Sequence, residues 1–337
     1  MDKNITIAVD AMGGDGSPKK VIDGIVDHNK KSKNVKYLIF GDSEIILNHI
    51  PKSFEKNNYE IIDTKNCVQG KDTPLEAAKR GKNTSMWLSI ESVKEKKADI
   101  VISAGNTGAL LVISKLNLKM IENIDKPALS ALWPNKIGMS VVLDLGANIE
   151  CNEKNLIDFS IMGASIFKSL FPEEKPKVAL LNIGSEEIKG NEILKNTYQK
   201  MSQIKNSDFE FKGFIEGNQL MNGDVNVIVS DGFTGNVALK TAEGTANFIT
   251  NELKKVFKNN FLGKLSGLIN YLNLKNFKKR LDPRLYNGAI FIGLDSPVVK
   301  SHGSTDYIGF SNSLSVCEKI VKGDLINKIK NNIYREN

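Results

Sequence analysis

Seven residues, Ser230-Asp231-Gly232-Phe233-Thr234-Gly235-Asn236, stand between a short β-branched run at 225–229 and a long helical pattern that begins at Val237. A strand that turns through two glycines into a helix offers backbone N–H groups and the positive end of a helix dipole, which together seat an anion. Four other loops share this texture. Asp10-Ala11-Met12-Gly13-Gly14-Asp15-Gly16 follows 5–9, and Ser103-Ala104-Gly105-Asn106-Thr107-Gly108 follows 99–102. Asp144-Leu145-Gly146-Ala147-Asn148 follows 140–143, and Asn182-Ile183-Gly184-Ser185 follows 178–181. One such loop is ordinary, because glycine serves turn geometry in most strand-to-helix connections. Five, each with Asn, Asp, Ser or Thr beside the glycine, point to a polar cleft for an anion, phosphate foremost.

A few charges accompany these donors. In Gly184-Ser185-Glu186-Glu187-Ile188-Lys189-Gly190-Asn191, a lysine between acids precedes a glycine and a helix. Lys189 can aim a positive charge at an anion, or it can be a solvated loop lysine. His302, in Ser301-His302-Gly303-Ser304-Thr305, can contact a ligand or simply hydrogen-bond within its loop. Asp10, Asp144 and Asp231 sit at strand ends, where acids hold a metal or orient loop amides; the second role is the commoner one. Several familiar sites are excluded. There is no G-x-x-x-x-G-K-[ST] and no H-E-x-x-H. Gly13-Gly14-Asp15-Gly16 lacks dinucleotide-binding spacing, and G-x-S-x-G is absent. Neither a metal nor a cofactor is expected.

The elements that must carry these loops alternate between strand and helix patterns, the signature of βαβ units and a mainly parallel sheet. Residues 35–40 and 59–63 read as strands; 18–29, 155–170, 191–201 and 237–257 read as helices. Thr73-Pro74-Leu75-Glu76 reads as an N-cap followed by proline in the first turn. The expected fold class is α/β, a mainly parallel sheet in an α/β/α sandwich. Residues 1–337 form one large domain in this reading, with two lobes around a cleft as a variant.

The chain has 337 residues, 41% of them hydrophobic and 25% charged, as in a globular protein. Its start, Met1-Asp2-Lys3-Asn4, carries no apolar signal-peptide run. No stretch approaches the roughly 18 apolar residues that span a bilayer. Cys67, Cys151 and Cys317 are scattered, which fits a reducing cytoplasm. The net charge of +7 is local. Residues 254–284 hold nine basic residues against one acid, Asp282, a segment charge of +8 that leaves −1 for the remainder. A protein-wide field for nucleic acid is therefore excluded.

Within that segment Phe257, Phe261, Leu265, Leu268 and Leu272 recur at helical steps, flanked by Leu262 and Ile269. They predict one apolar stripe on a helix with lysines at both ends. Such a helix lies on an anionic membrane surface, or packs on its own core or a partner subunit. Gly263 and Gly267 loosen a purely structural helix.

Taken in order, the loop blocks resemble the PlsX family, the acyl-ACP:phosphate transacylases. The matching residues are 9–15, 103–109, 143–148, 181–184 with Glu187-Ile188-Lys189-Gly190-Asn191, 231–241 and Ser301-His302-Gly303-Ser304. They run over nearly the whole chain. The resemblance implies a fold similar to phosphotransacetylases and isocitrate-type dehydrogenases, with an amphipathic helical extension. It implies a homodimeric cytoplasmic enzyme, peripherally bound to the membrane, that makes acyl phosphate from acyl carrier protein thioesters and inorganic phosphate. That product feeds a glycerol-3-phosphate acyltransferase. It matches the family's catalytic lysine and asparagine to Lys189 and Asn236, and the membrane region to 256–280, with Phe261, Leu265, Leu268 and Leu272 as contacts. Asp10, Gly13, Gly14, Asn106, Thr107 and Gly108, with Asn148, Asp231, Gly235 and His302, make up the expected substrate- and phosphate-binding set. Two blocks depart from the family. Glu216-Gly217-Asn218-Gln219 lacks the family's arginine, so no role is carried to Asn218, and Asn287-Gly288-Ala289-Ile290-Phe291-Ile292 replaces a Gly-Gly-Ala-Pro-Leu-Leu pattern. A transacetylase using short-chain acyl-CoA and a non-catalytic membrane-surface scaffold are the competing readings.

Overall fold

The computed structural model describes residues 4–204, 208–258, 261–280 and 282–336. In chain order the strands are β1 (Ile5–Asp10), β2 (Val35–Gly41), β3 (Tyr59–Asp63), β4 (Ile100–Ser103), β5 (Ala128–Pro134), β6 (Met139–Leu143), β7 (Lys177–Asn182), β8 (Glu210–Glu216), β9 (Val227–Val229), β10 (Ala289–Ile292) and β11 (Val298–Lys300). The helices are α1 (Lys19–Lys31), α2 (Ser43–His49), α3 (Pro74–Arg80), α4 (Ser85–Lys94), α5 (Thr107–Asn117), α6 (Glu153–Leu170), α7 (Glu192–Gln203), α8 (Gly232–Lys258), α9 (Phe261–Ile269), α10 (Tyr271–Arg280), α11 (Tyr307–Lys322) and α12 (Leu325–Glu336).

The strands form one sheet in the order β3-β2-β1-β4-β11-β10-β5-β6-β9-β7-β8. β3, β2, β1, β4 and β11 run parallel, as do β6, β9, β7 and β8. Three successive antiparallel pairings, β11–β10, β10–β5 and β5–β6, join the two blocks, so the blocks run in opposite directions. The mainly parallel α/β sheet matches the sequence expectation; the antiparallel seam at its centre does not appear in the alternating pattern.

Strand residues are apolar on both sides because helices cover both faces. On one face Ile5, Ile7 and Val9 pack with Val21, Ile22 and Ile25 of α1 and Phe310 and Leu314 of α11. The same core continues through Phe159 and Ile166 of α6 to Val178 and Val229 in the second block. The other face carries two separate cores. Ala8 and Val101 meet Met86 and Ile90 of α4 and Ile113 of α5. Val142, Ala179 and Ile228 meet Ala238, Leu239 and Ala242 of α8. Burying each large apolar side chain contributes about 1.5–3 kcal/mol.

Beyond Ala242, α8 leaves this core. Its 27 residues span about 40 Å, and Phe248, Ile249 and Val256 are exposed. The expected single stripe is divided. α9 ends at Ile269 and α10 begins at Tyr271. At the break, the Asn270 backbone N–H and its side-chain amide both donate to the Ser266 carbonyl, at 3.0 and 3.1 Å. Phe261, Leu265 and Leu268 on α9 and Leu272 on α10 are all exposed. The side chains of Lys258, Leu262, Lys264, Lys278, Lys279 and Arg280, and the surroundings of Gly263 and Gly267, lie outside the described residues, as does the polar start at 1–3.

Candidate functional site

Two rows of strand ends carry the loops. In the first block Asp10, Ser103 and Lys300 are cross-strand neighbours at the carboxyl ends of β1, β4 and β11. Asp10 is buried, and its carboxylate accepts from the Ser85 and Ser103 hydroxyls, both at 2.6 Å, and from the Met12 N–H at 3.3 Å. Burial raises its pKa against the lowering effect of these donors. The loops it anchors touch backbone to backbone. A Cβ on Gly13 would lie 2.6 Å from the Gly105 nitrogen, and one on Gly14 would lie 2.8 Å from the Ala104 oxygen.

Asn106 caps α5 by accepting from the Ala109 N–H at 3.0 Å. Its amide donates to the Gly70 and Asp72 carbonyls, tying the loop before α3 to this row. Thr107 and Gly108 form the first turn of α5, with Gly108 directly against Pro74. Across the row His302 is exposed, its Nδ1 3.0 Å from the Ser304 hydroxyl and its backbone N–H on Asn287 Oδ1. Partial desolvation lowers the His302 pKa, reinforced by the charges of Lys300, Lys240 and Lys20 and opposed by Glu243. Lys240 and Glu243 belong to α8, so that helix brings the second block's charges to the first block's rim.

In the second block Leu143, Val229 and Leu180 are register neighbours on β6, β9 and β7. Asp144 is the hub of the loop that follows. Oδ1 accepts from the N–H groups of Leu129, Gly146 and Ala147, and Oδ2 from the Asn148 N–H and side-chain amide. Asn148 also donates to the Pro127 carbonyl at 2.7 Å. The first turn of α8 lies on this loop. A Cβ on Gly235 would sit 1.9 Å from the Asp144 carbonyl oxygen, and one on Gly232 2.4 Å from that of Asn148. Asp231 accepts from the Thr234 N–H and hydroxyl, both at 2.8 Å.

Asn236 follows, exposed, with one amide N–H donated to the Leu145 carbonyl at 3.0 Å. An amide NH2 has two donors, so the second is left for a ligand. On the adjacent strand, buried Asn182 accepts from the Ile183 N–H and donates to the Lys189 carbonyl, closing the 183–190 loop. Gly190 makes the closure possible: its φ is +90°, and a Cβ there would lie 2.5 Å from Asn182 Oδ1. Lys189 is exposed at the loop's end, with no acidic partner among the described residues.

Beside these loops a groove of about 400 Å³ runs between Ile149, Cys151, Asn152, Asn191, Ile193 and Asp231. Burial, helped by the Asp144 charge, pushes the Cys151 thiol up to about 11. Among the described residues no group of three or more His, Cys, Asp or Glu could hold a metal.

The structure thus gathers Asn148, Asp231, Gly235 and Asn236 around one loop, with Lys189 in the loop that follows the neighbouring strand β7. It gathers Asp10, Gly13, Gly14, the Asn106-Thr107-Gly108 turn and His302 around the other row. No hydrogen bond joins Lys189 to Asn236 among the described residues. Lys20 and Lys300, buried beneath the first row, escape sequence reasoning. Their only signal is position, Lys20 beside the apolar Val21-Ile22 of α1 and Lys300 at the end of a buried strand.

A family model described as a fatty acid synthesis protein matches residues 5–328. A phosphate acyltransferase from Pelagibacter ubique is 75% identical over 333 residues, covering 99% of this chain and 100% of that one. One from Rhodospirillum rubrum is 43% identical over 336 residues, covering 99% and 96%. Among solved structures, a phosphotransacetylase from Streptococcus pyogenes superposes with a TM-score of 0.60 at 16% identity, over 97% of this chain and 95% of that one. A branched-chain phosphotransacylase from Enterococcus faecalis gives 0.57 at 15%, over 94% and 99%. At such identities the likeness concerns the fold alone.

Proposed function

We propose, for a chain that belongs to the phosphate acyltransferase family, that the acyl donor is a long-chain acyl-acyl-carrier-protein and the acceptor inorganic phosphate. A phosphate oxygen attacks the thioester carbonyl, the C–S bond breaks, and acyl phosphate and a thiol leave. Phosphate is an adequate nucleophile at neutral pH and thiolate a tolerable leaving group. The nearby Cys151 thiol, held neutral by burial, is a poor nucleophile, which favours direct attack over an acyl-enzyme. The remaining work is to hold the two reactants together and stabilise the oxyanion.

The observation that carries this reading is a pair of open donors on the connections that follow two adjacent strands, Lys189 in the loop after β7 and Asn236 near the start of α8 after β9. Lys189 presents an unpaired ammonium, and Asn236 a second amide N–H on a side chain already fixed by Leu145. Lys189 supplies positive charge to the phosphate or the oxyanion; Asn236 donates to the oxyanion or orients the phosphate. The loops at Asn106-Thr107-Gly108, Asp10-Gly13-Gly14, Asn148, Asp231-Gly235 and His302 frame the substrates. The apolar side of the Ile149–Ile193 groove suits the start of an acyl chain.

The exposed apolar residues of α8, α9 and α10 support a peripheral seat on the cytoplasmic membrane surface, where a downstream glycerol-3-phosphate acyltransferase takes the product. No helix of the described residues is long and apolar enough to cross a membrane. Exposed Lys254, Lys255 and Lys275 steer the acidic carrier protein, or anionic lipid, to this arm. The active species is a homodimer in this reading, and nucleic acid is not a partner. Flotation with anionic liposomes tests the arm: wild type floats and Leu268→Glu sinks, and a variant that still floats removes the membrane role. Donor choice is tested by phosphate-dependent thiol release. Long-chain acyl-carrier protein should outpace acetyl-CoA, and the reverse order would make the chain a short-chain transacetylase.

A further inference from the structure

Two lysines lie beneath the first row with only 8% of their surface exposed, Lys20 near the start of α1 and Lys300 at the end of β11. Lysine is almost never this buried without a counter-charge. Among the described residues neither ammonium has an ion pair; their acceptors are backbone carbonyls. Lys20 Nζ donates to the Gly303 carbonyl, and Lys300 Nζ to those of Ser301 and, at 3.4 Å, Ala104.

Each ammonium has three donors, so three of the six have no acceptor in the described chain. Gly14 closes over the pair with φ +85°, and a Cβ there would lie 3.0 Å from Lys20 Nζ and 3.0 Å from the Gly303 oxygen. Two acids act on the pair: Asp15, whose charge reaches Lys20, and Asp10, whose charge reaches Lys300 but which is already held by two serine hydroxyls and a backbone N–H, with burial raising its own pKa. The cluster therefore holds two desolvated cations and open hydrogen-bond donors at the carboxyl ends of three parallel strands, where ligands of open α/β sheets bind. Desolvation first, and then the Lys20 charge, lower the Lys300 pKa to about 8; desolvation also lowers that of Lys20. A group of several oxygens carrying negative charge would satisfy the open donors and offset both desolvated cations.

We propose that Lys20 and Lys300 form a two-cation seat for a phosphate group, with Gly14 and the 301–304 loop as its rim. The identity of the anion, though not the seat, rests on the acyl-phosphate reading. Two sources share this chemistry: the inorganic phosphate that accepts the acyl group, and the phosphodiester of the donor's pantetheine arm.

The test is titration of inorganic phosphate into the intact protein and into Lys20→Met and Lys300→Met, followed by ³¹P NMR. KM for phosphate and for the acyl donor are measured on the same samples. Loss of a charge-assisted contact predicts about a tenfold or larger weakening. A rise in phosphate Kd or KM assigns the seat to the acceptor, and a rise in donor KM alone assigns it to the phosphodiester; either supports the seat. Folded variants with all three quantities unchanged overturn it. If both variants unfold, the wild-type protein decides. Its phosphate affinity should fall several-fold between about pH 7.5 and 9.5 as Lys300 discharges, the other ionisable groups around it being Lys20, Asp10, Asp15 and His302. A flat affinity would overturn the seat. Binding is read here without turnover, so a protein that seats phosphate but transfers no acyl group breaks the functional reading and not this one.

Discussion

The two rows of strand ends are built from the same residue types and have opposite electrostatics. In the second block the buried acid, Asp144, is saturated by five N–H donors, four from its own loop and one from Leu129 of β5, and the lysine, Lys189, stands exposed at the rim. In the first block the acid is held by serines, and two lysines are buried beneath it. One arrangement stabilises the loop that carries it. The other bears the cost of desolvated cations that an anion would relieve. Glycine-rich strand-to-helix loops are therefore not interchangeable, and what lies under the loop decides what it can hold.

The largest expected effect is on turnover. Removing one preorganised oxyanion donor lowers kcat by about 100–1,000-fold, and Lys189→Ala or Asn236→Ala should each do so without loss of Tm. A folded variant of near-normal kcat would strip that residue of its role. The next effect is on stability. Gly235→Ala places a Cβ 1.9 Å from the Asp144 carbonyl oxygen, and overpacking of this kind costs about 1–3 kcal/mol. Thermal unfolding should show a clearly lowered Tm. An unchanged Tm would mean that α8 does not rest on the Asp144 loop as described.

The smallest effect separates the rows by pH. Lys300 titrates at about 8 in the folded chain and at about 10.4 in the unfolded one. The unfolded state then binds more protons between these values, so stability rises with pH there and is lost as pH falls back through 8. The slope is at most about 1.4 kcal/mol per pH unit. Lys300→Met should remove this slope in denaturant unfolding and Lys189→Ala should keep it. The same slope in both variants would erase the electrostatic distinction between the rows.

Much of this was legible in the chain. The apolar runs at 5–9 and 178–181 became buried strands because apolar period is a local signal, and the Ser230–Asn236 stretch became the strand-to-helix junction, with α8 starting at Gly232, five residues before the expected Val237. The Thr73-Pro74-Leu75-Glu76 signal became a capping box closed by Glu76. Non-local features were not legible. β10 and β11 are short, and β10 is held on its other side by β5, more than 150 residues earlier. The apolar stripe was visible, but its division at Asn270 was not, because the apolar residues recur across it without interruption. Lys20 and Lys300 looked like ordinary solvated lysines, because burial comes from the sheet above them and not from their neighbours in sequence.

The most direct test of the central claim is to incubate the protein with long-chain acyl-carrier protein and inorganic phosphate, and to quantify released thiol and acyl phosphate together. The account predicts that both form in equal amounts, and only when phosphate is present. Thiol release that is independent of phosphate, or that leaves no acyl phosphate, would contradict it.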